Sequence, residues 1–299
     1  MSVLIVGSTA VDSIKTPQAQ AQRLLGGSGC HASVAASYFC PVHLVGIVGE
    51  DFPQRYIRLL SRRGVSLEAL QVVPGKTFHW TGEYEINMNN RRTLATELGV
   101  FENFRPSLPE QLRELPYVLL ANIAPALQHH VLDQLRRPKF VIADTMDLWL
   151  NIALGDLIKL LRRIDALVVN DSEARLLAKE DNLLLAIRRI HRLGPRYVII
   201  KKGEHGALLS APGGLSIAPA YPLPKVVDPT GAGDSFVGAL LGFVASRGGP
   251  TDANLRRGLV YGAVVASFCC EGFGLTRTSK LTQKEIARRV KALERLTLI

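Results

Sequence analysis

Six short apolar runs, each closed by a turn signal, constrain this chain more than any other feature: VLIVG, VHLVGIVG, YVLLAN, KFVIAD, ALVVN and RYVII. Each is β-branched or aliphatic with no polar alternation, the pattern of a strand buried on both faces. Between them the apolar spacing is helical, over Pro53 to Arg63, Leu127 to Arg137, Ser172 to Lys179 and Leu183 to Leu193. Strands that alternate with helices predict an α/β fold with a mostly parallel central sheet covered on both faces. Residues 76–100 break the pattern. Their period of two and the turn-like Asn89-Asn90 predict a hairpin, read as a small β-sheet lid, with an edge extension of the main sheet as the alternative. The last third is predicted helical: Asp234 to Ser246, Leu255 to Cys270, and a final helix opened by the capping box of Thr282 and Glu285.

With 299 residues, 47% of them hydrophobic, the chain can bury one large core. No apolar run reaches the roughly 20 residues of a membrane span, and the start lacks a basic leader, so a cytoplasmic protein without a membrane partner is expected. Cys30, Cys40, Cys269 and Cys270 show no C-x-x-C spacing and read as buried thiols. The net charge of +10 suits a polyanionic small molecule or a nucleic acid. Arginine doublets on helical segments, with little aromatic interleaving, favour solvated faces, so no nucleic-acid partner is expected.

The chemistry concentrates in DPTGAGDSF, residues 228–236. Gly231, Ala232 and Gly233 precede a helix, where N–H groups unblocked by side chains make an anion cradle at the positive end of the helix dipole. An aspartate beside that cradle repels a resting phosphate, so Asp234 earns its place as a base that takes a hydroxyl proton during phosphoryl transfer. The bland reading is a glycine-rich helix start with a first-turn carboxylate. VVPGKT fails as a phosphate loop because Leu70 stands where its first glycine belongs, and GGSGCH has no strand immediately before it.

Asp228, Thr230, Gly231, Ala232, Gly233 and Asp234 spell D-x-T-G-A-G-D, and with this the chain resembles the ribokinase (PfkB) family of sugar and nucleoside kinases. The resemblance implies a single ribokinase-like three-layer α/β/α domain over 1–299, with the lid inserted at about 12–24 and 72–102. It implies that Asp234 is the base and that the Gly231–Gly233 backbone stabilises the transferring group. GSTAVD would supply Asp12 to substrate hydroxyls, and LGGSGCHAS would place Gly26 and Gly27 at the substrate and lid hinge. In NDSE, Asn170 and Glu173 would order Mg²⁺ through water; the plain alternative is one helix turn. KKGEHG would line the ATP site with Lys201, Lys202, Gly203 and Gly206, alongside Thr230; a hairpin turn is its alternative. VGEDF also fits, and YGAVVASF would bring Gly262 to the adenine pocket. Family members often bind a monovalent cation such as K⁺ near the positions of Asp228 and Thr230, and an exposed lid offers a homodimer surface.

Two departures bear on the acceptor. His31 stands where ribokinases commonly have asparagine, and LLANIAP lacks their strand-end carboxylate, which argues against ribose. His31 is a candidate contact to substrate hydroxyls or a packed core residue. Phe78, Trp80 and Tyr84 share a strand face that suits stacking on an acceptor, lid packing or a dimer contact. The expected activity is ATP- and Mg²⁺-dependent phosphorylation of a sugar or polyol hydroxyl. The alternatives are a nucleoside acceptor, and a non-catalytic nucleic-acid-binding or regulatory protein on a kinase scaffold.

Overall fold

The computed structural model describes residues 1–297. Its strands are β1 (Val3–Val6), β2 (Ala10–Lys15), β3 (Gln20–Gly26), β4 (Val42–Gly49), β5 (Val65–Val73), β6 (His79–Tyr84) and β7 (Arg91–Glu97), then β8 (Tyr117–Leu120), β9 (Phe140–Asp144), β10 (Ala166–Asn170), β11 (Tyr197–Lys201), β12 (Ala207–Ala211) and β13 (Gly214–Ala218). The helices are α1 (Ser28–Ala36), α2 (Gln54–Arg62), α3 (Pro125–Gln134), α4 (Asp147–Ile152), α5 (Leu154–Leu161), α6 (Asp171–Ala178), α7 (Leu183–Leu193), α8 (Ala232–Ser246), α9 (Asp252–Cys269) and α10 (Gln283–Leu296).

Nine strands form one sheet in the order β13-β12-β11-β10-β9-β8-β1-β4-β5. Pairing is parallel from β5 to β11, and at one edge β12 alone is reversed, pairing antiparallel with both β11 and β13. Alternate residues of each strand feed opposite faces. Ile142, Val168 and Ile199 join a core with α1, α8 and α9. Ala143, Val169 and Ile200 join the other, with α3, α5, α6 and α7. The expected three layers follow. The six apolar runs are buried strands because both faces are covered, whereas β5, which is only half-buried, carried no such signal.

The α8 helix is apolar on every side, and residues 235–245 are all buried. A helix of that kind must sit inside the protein. It packs against α1 through glycines: a Cβ on Gly238 would lie 2.2 Å from the Ala32 carbonyl oxygen. This close approach fixes the start of α8 over the sheet's carboxyl edge, where α/β sheets bind ligands.

The hairpin of residues 79–97 joins β2 and β3 in a separate four-stranded sheet, order β3-β2-β6-β7, rather than extending the main sheet. Asp51, from VGEDF, anchors its root by accepting from the Thr77 amide (2.8 Å) and hydroxyl (2.7 Å). Of the lid aromatics, Phe78 stacks on Phe101 with ring centroids 5.4 Å apart. Trp80 folds over Gly82, whose added Cβ would meet the indole at 2.1 Å. Tyr84 reaches the loop before α8, where its hydroxyl accepts from Thr230 at 3.1 Å. Among the described residues no helix is long and apolar enough to cross a membrane. All four cysteines are free; Cys30 and Cys269 are buried, Cys40 and Cys270 half-buried.

Candidate active site

Three neighbouring strands end together beneath the mouth of α8. Register pairs Asp144 of β9 with Val168, and Lys201 of β11 with Asn170 two residues further along β10. Val168 faces the α8 layer, so strand parity aims Asp144, Asn170 and Lys201 the same way. Lys201 Nζ donates to both oxygens of the buried Asp144, at 3.1 and 2.9 Å. The carboxylates around Lys201 outweigh its burial and hold its pKa above the usual lysine range.

The α8 mouth opens at Gly231, φ +75°. Its amides are less uniformly free than the sequence suggests: Ala232 N–H donates to the Pro229 carbonyl at 3.1 Å. Among the described residues the Gly231 and Gly233 N–H groups have no protein acceptor, so both are open to a ligand. The missing side chains make room for protein groups. A Cβ on Gly231 would lie 2.2 Å from the His31 ring, and one on Gly233 would lie 3.1 Å from Lys201 Nζ.

Asp234 sits in the first turn of α8, partly open to the cleft. Burial lifts its pKa, while Lys201 and Arg91 of β7 pull it back. Asp228, fully buried, instead braces the loop by accepting from the amides of Thr230 (2.9 Å) and Gly274 (3.0 Å). The Thr230 carbonyl, beside the position suggested for a monovalent cation, accepts from the Cys269 thiol at 3.3 Å.

On the acceptor side, Asp12 is 4% exposed with one oxygen unpartnered. Burial, then the charge of Asp228, raises its pKa to about 7, against a hydrogen bond from the Gly27 amide. Gly26 is required here, since a Cβ would fall 1.8 Å from Asp12 Oδ2. His31 is buried, its Nε2 unpartnered and its pKa pushed down to about 4, so the ring is neutral at ordinary pH.

Two clefts meet at Lys201 and Gly233. One, about 490 Å³, is lined by Asn170, Glu173, Lys202, Gly231, Asp234 and Arg91 among others. The other, about 550 Å³, runs from Gly203 and Gly206 past Tyr221 and Phe236 to Ala263 and Ser267. Gly262 packs against Phe236 in the α8–α9 contact and lines neither cleft. NDSE is a capping box: Asn170 Oδ1 accepts from Glu173 N–H and Glu173 Oε2 from Asn170 N–H, both at 2.7 Å. Burial nonetheless raises the Glu173 pKa to about 7.

The sequence reading missed Asp144 and Arg91, and it placed Tyr84 only in an aromatic stripe. An acid closing the apolar run KFVIAD was the available signal for Asp144; Arg91 gave none.

An anion cradle, a carboxylate beside it and a long cleft leading away define a phosphotransferase with an alcohol group as acceptor. Residues 2–280 match the pfkB family of carbohydrate kinases, and the chain belongs to that family. It is 28% identical over 268 residues to a cytidine kinase of Thermococcus kodakarensis, spanning 87% of this chain and 94% of that protein. A bifunctional ribokinase/ribose-5-phosphate isomerase A of Fructilactobacillus sanfranciscensis is 31% identical over 121 residues, 39% of this chain and 22% of that protein. The fold is shared with a Burkholderia thailandensis nucleoside kinase in complex with inosine: TM-score 0.82, 21% identity, 97% of this chain and 98% of that one.

Proposed function

We propose that this chain is an ATP- and Mg²⁺-dependent nucleoside kinase. The observation that carries the reading is the match to a cytidine kinase along 87% of the chain, where the ribokinase match spans 39%. This moves the acceptor from the free sugar favoured by the sequence to the runner-up, a nucleoside.

In the mechanism, Asp12 holds acceptor hydroxyls while Gly26 keeps its carboxylate in place. Asp234 takes the attacking hydroxyl's proton, and the amides of Gly231 and Gly233 receive the phosphoryl oxygens. Lys202, Gly203 and Gly206 line the donor cleft. The oxygen donors of Asn170 and Glu173 suit Mg²⁺, which keeps its waters and leans on substrate phosphates. Glu173 and Asn170 would hold it through water, where it would supply charge neutralisation to the phosphates.

The test is an ADP-release assay across nucleosides, sugars and polyols. Turnover with nucleosides is expected; turnover with free sugars alone returns the acceptor to the sugar class. Binding of DNA without ATP turnover would revive the non-catalytic alternative.

A pH dependence follows from Asp12, whose pKa rises from 3.8 to about 7 through burial and the charges of Asp228 and Asp234. Its protonated form stabilises the folded state relative to the unfolded one; that contribution is complete below 3.8 and lost as pH rises through about 7. The charged form accepts the hydroxyl, so acceptor KM falls between pH 6 and 8, by up to roughly tenfold per unit at the acid end. Asp12→Asn flattens this profile; an unchanged slope removes Asp12 from acceptor binding.

A further inference from the structure

Lys201 does more than line a cleft, and Asp144 has been given no role so far. Lys201 stands where the two clefts meet, beside Gly233 of the cradle. Its side chain is 18% exposed, against 3% for Asp144, so the pair is open from the lysine side only. An ammonium has three N–H donors. Among the described residues Asp144 is its sole hydrogen-bond partner, which leaves donor capacity facing the cleft.

Asp144 is itself held. Its Oδ1 accepts from the Thr145 amide at 3.0 Å, and its carbonyl accepts from the fully buried Gln128 Nε2 at 3.0 Å. Gln128 also ties the carbonyls of Leu120 and Ala121, locking the ends of β8 and β9 together. A buried ion pair is a poor stabiliser, since desolvation cancels much of its attraction. A charge fixed beside the unpaired Gly233 N–H, by contrast, has no reorganisation left to do when a phosphate arrives.

We propose that Lys201 is the side-chain cation that stabilises the phosphoryl group in flight, and that Asp144 is the positioning residue that aims it. The proposal rests on the phosphoryl-transfer reading of the site. As the bond from γ-phosphorus to the ADP oxygen breaks and a bond to the acceptor oxygen forms, the acceptor proton goes to Asp234. Lys201 keeps its protons and donates to a non-bridging oxygen beside the Gly233 amide.

Lys201→Met is expected to lower kcat about 10²–10³-fold with acceptor KM little changed. Asp144→Asn, which leaves the lysine present but unaimed, should cost roughly tenfold. In the Lys201→Met background Asp144→Asn should cost nothing further, because it acts only through the lysine. Lys201→Arg should recover part of the loss. Affinity for ADP with aluminium fluoride, which imitates the phosphoryl group in transit, should fall in Lys201→Met while affinity for ADP alone holds.

The neutral pair Lys201→Met with Asp144→Asn keeps the test valid if the single variant misfolds. Losses that multiply in the double variant, or aluminium fluoride binding unchanged in Lys201→Met, overturn the proposal. A wild-type protein that phosphorylates nothing in the acceptor panel defeats the functional reading instead, and the fluoride measurement still judges the lysine.

Discussion

Asp234→Asn is expected to lower kcat by about 10²–10⁴-fold, the usual worth of a positioned general base. The amide is nearly the same size and keeps the first turn of α8 filled, so the loss reports proton transfer rather than packing. ADP affinity should hold or improve, because a negative charge leaves the neighbourhood of the phosphates. Lys201 and Arg91 lose the carboxylate that offsets them, which also favours anion binding. Single-turnover kinetics with enzyme in excess over ATP, read beside direct ADP binding, separates the two effects. Turnover within a few-fold of wild type would remove Asp234 from its role and leave the cradle without a base.

Gly231→Ala is expected to damage both stability and turnover. At φ +75° an alanine pays about 1–2 kcal/mol for the left-handed conformation. The new Cβ would also lie 2.2 Å from the ring of His31, an α1 residue that is 1% exposed and has the Cys269 sulfur 3.9 Å from its Nδ1. Overpacking of that kind adds about 1–3 kcal/mol, so the total is roughly 2–5 kcal/mol and the melting temperature should fall by about 3–8 °C. His31→Ala in the same chain should return part of the loss by removing the clash but not the backbone strain. Additive losses in the double variant would show that the ring is not what the glycine accommodates. In the proposed mechanism the Gly231 amide receives a phosphoryl oxygen, so turnover should remain depressed even where stability recovers.

The role of that glycine shows how far residue patterns carry. D-x-T-G-A-G-D announced a helix mouth, and the mouth is there, but the vacant Cβ positions are filled by His31 and Lys201 rather than held open for phosphate. His31 lies 200 residues from Gly231 in the chain, and no local pattern encodes which side chain will lean on a glycine. Gly262 fell inside a helix whose neighbours do line the donor cleft, yet its own direction points at Phe236. A rotation of one residue along a helix, about 100°, decides between pocket and packing. Phe78 and Trp80 were equally ambiguous, since an aromatic stripe on a strand reads the same whether it meets a ligand, Phe101 or a glycine.

What the chain determined by itself is local and periodic. Apolar runs without alternation set strands buried on both faces, and helical spacing between them set a parallel sheet with layers on each side, since those patterns have one inexpensive solution in water. The capping box at Thr282 was likewise readable, because its hydrogen bonds close within three residues. Only the folded molecule decided that Asp144 meets Lys201, that Tyr84 spans from the lid to Thr230, and that Asp12 shares a field with Asp228 and Asp234. Those pairings depend on strand order and on which strands end at the same height. Long-range register is fixed by the packing of whole layers, and no stretch of sequence shorter than the domain contains it.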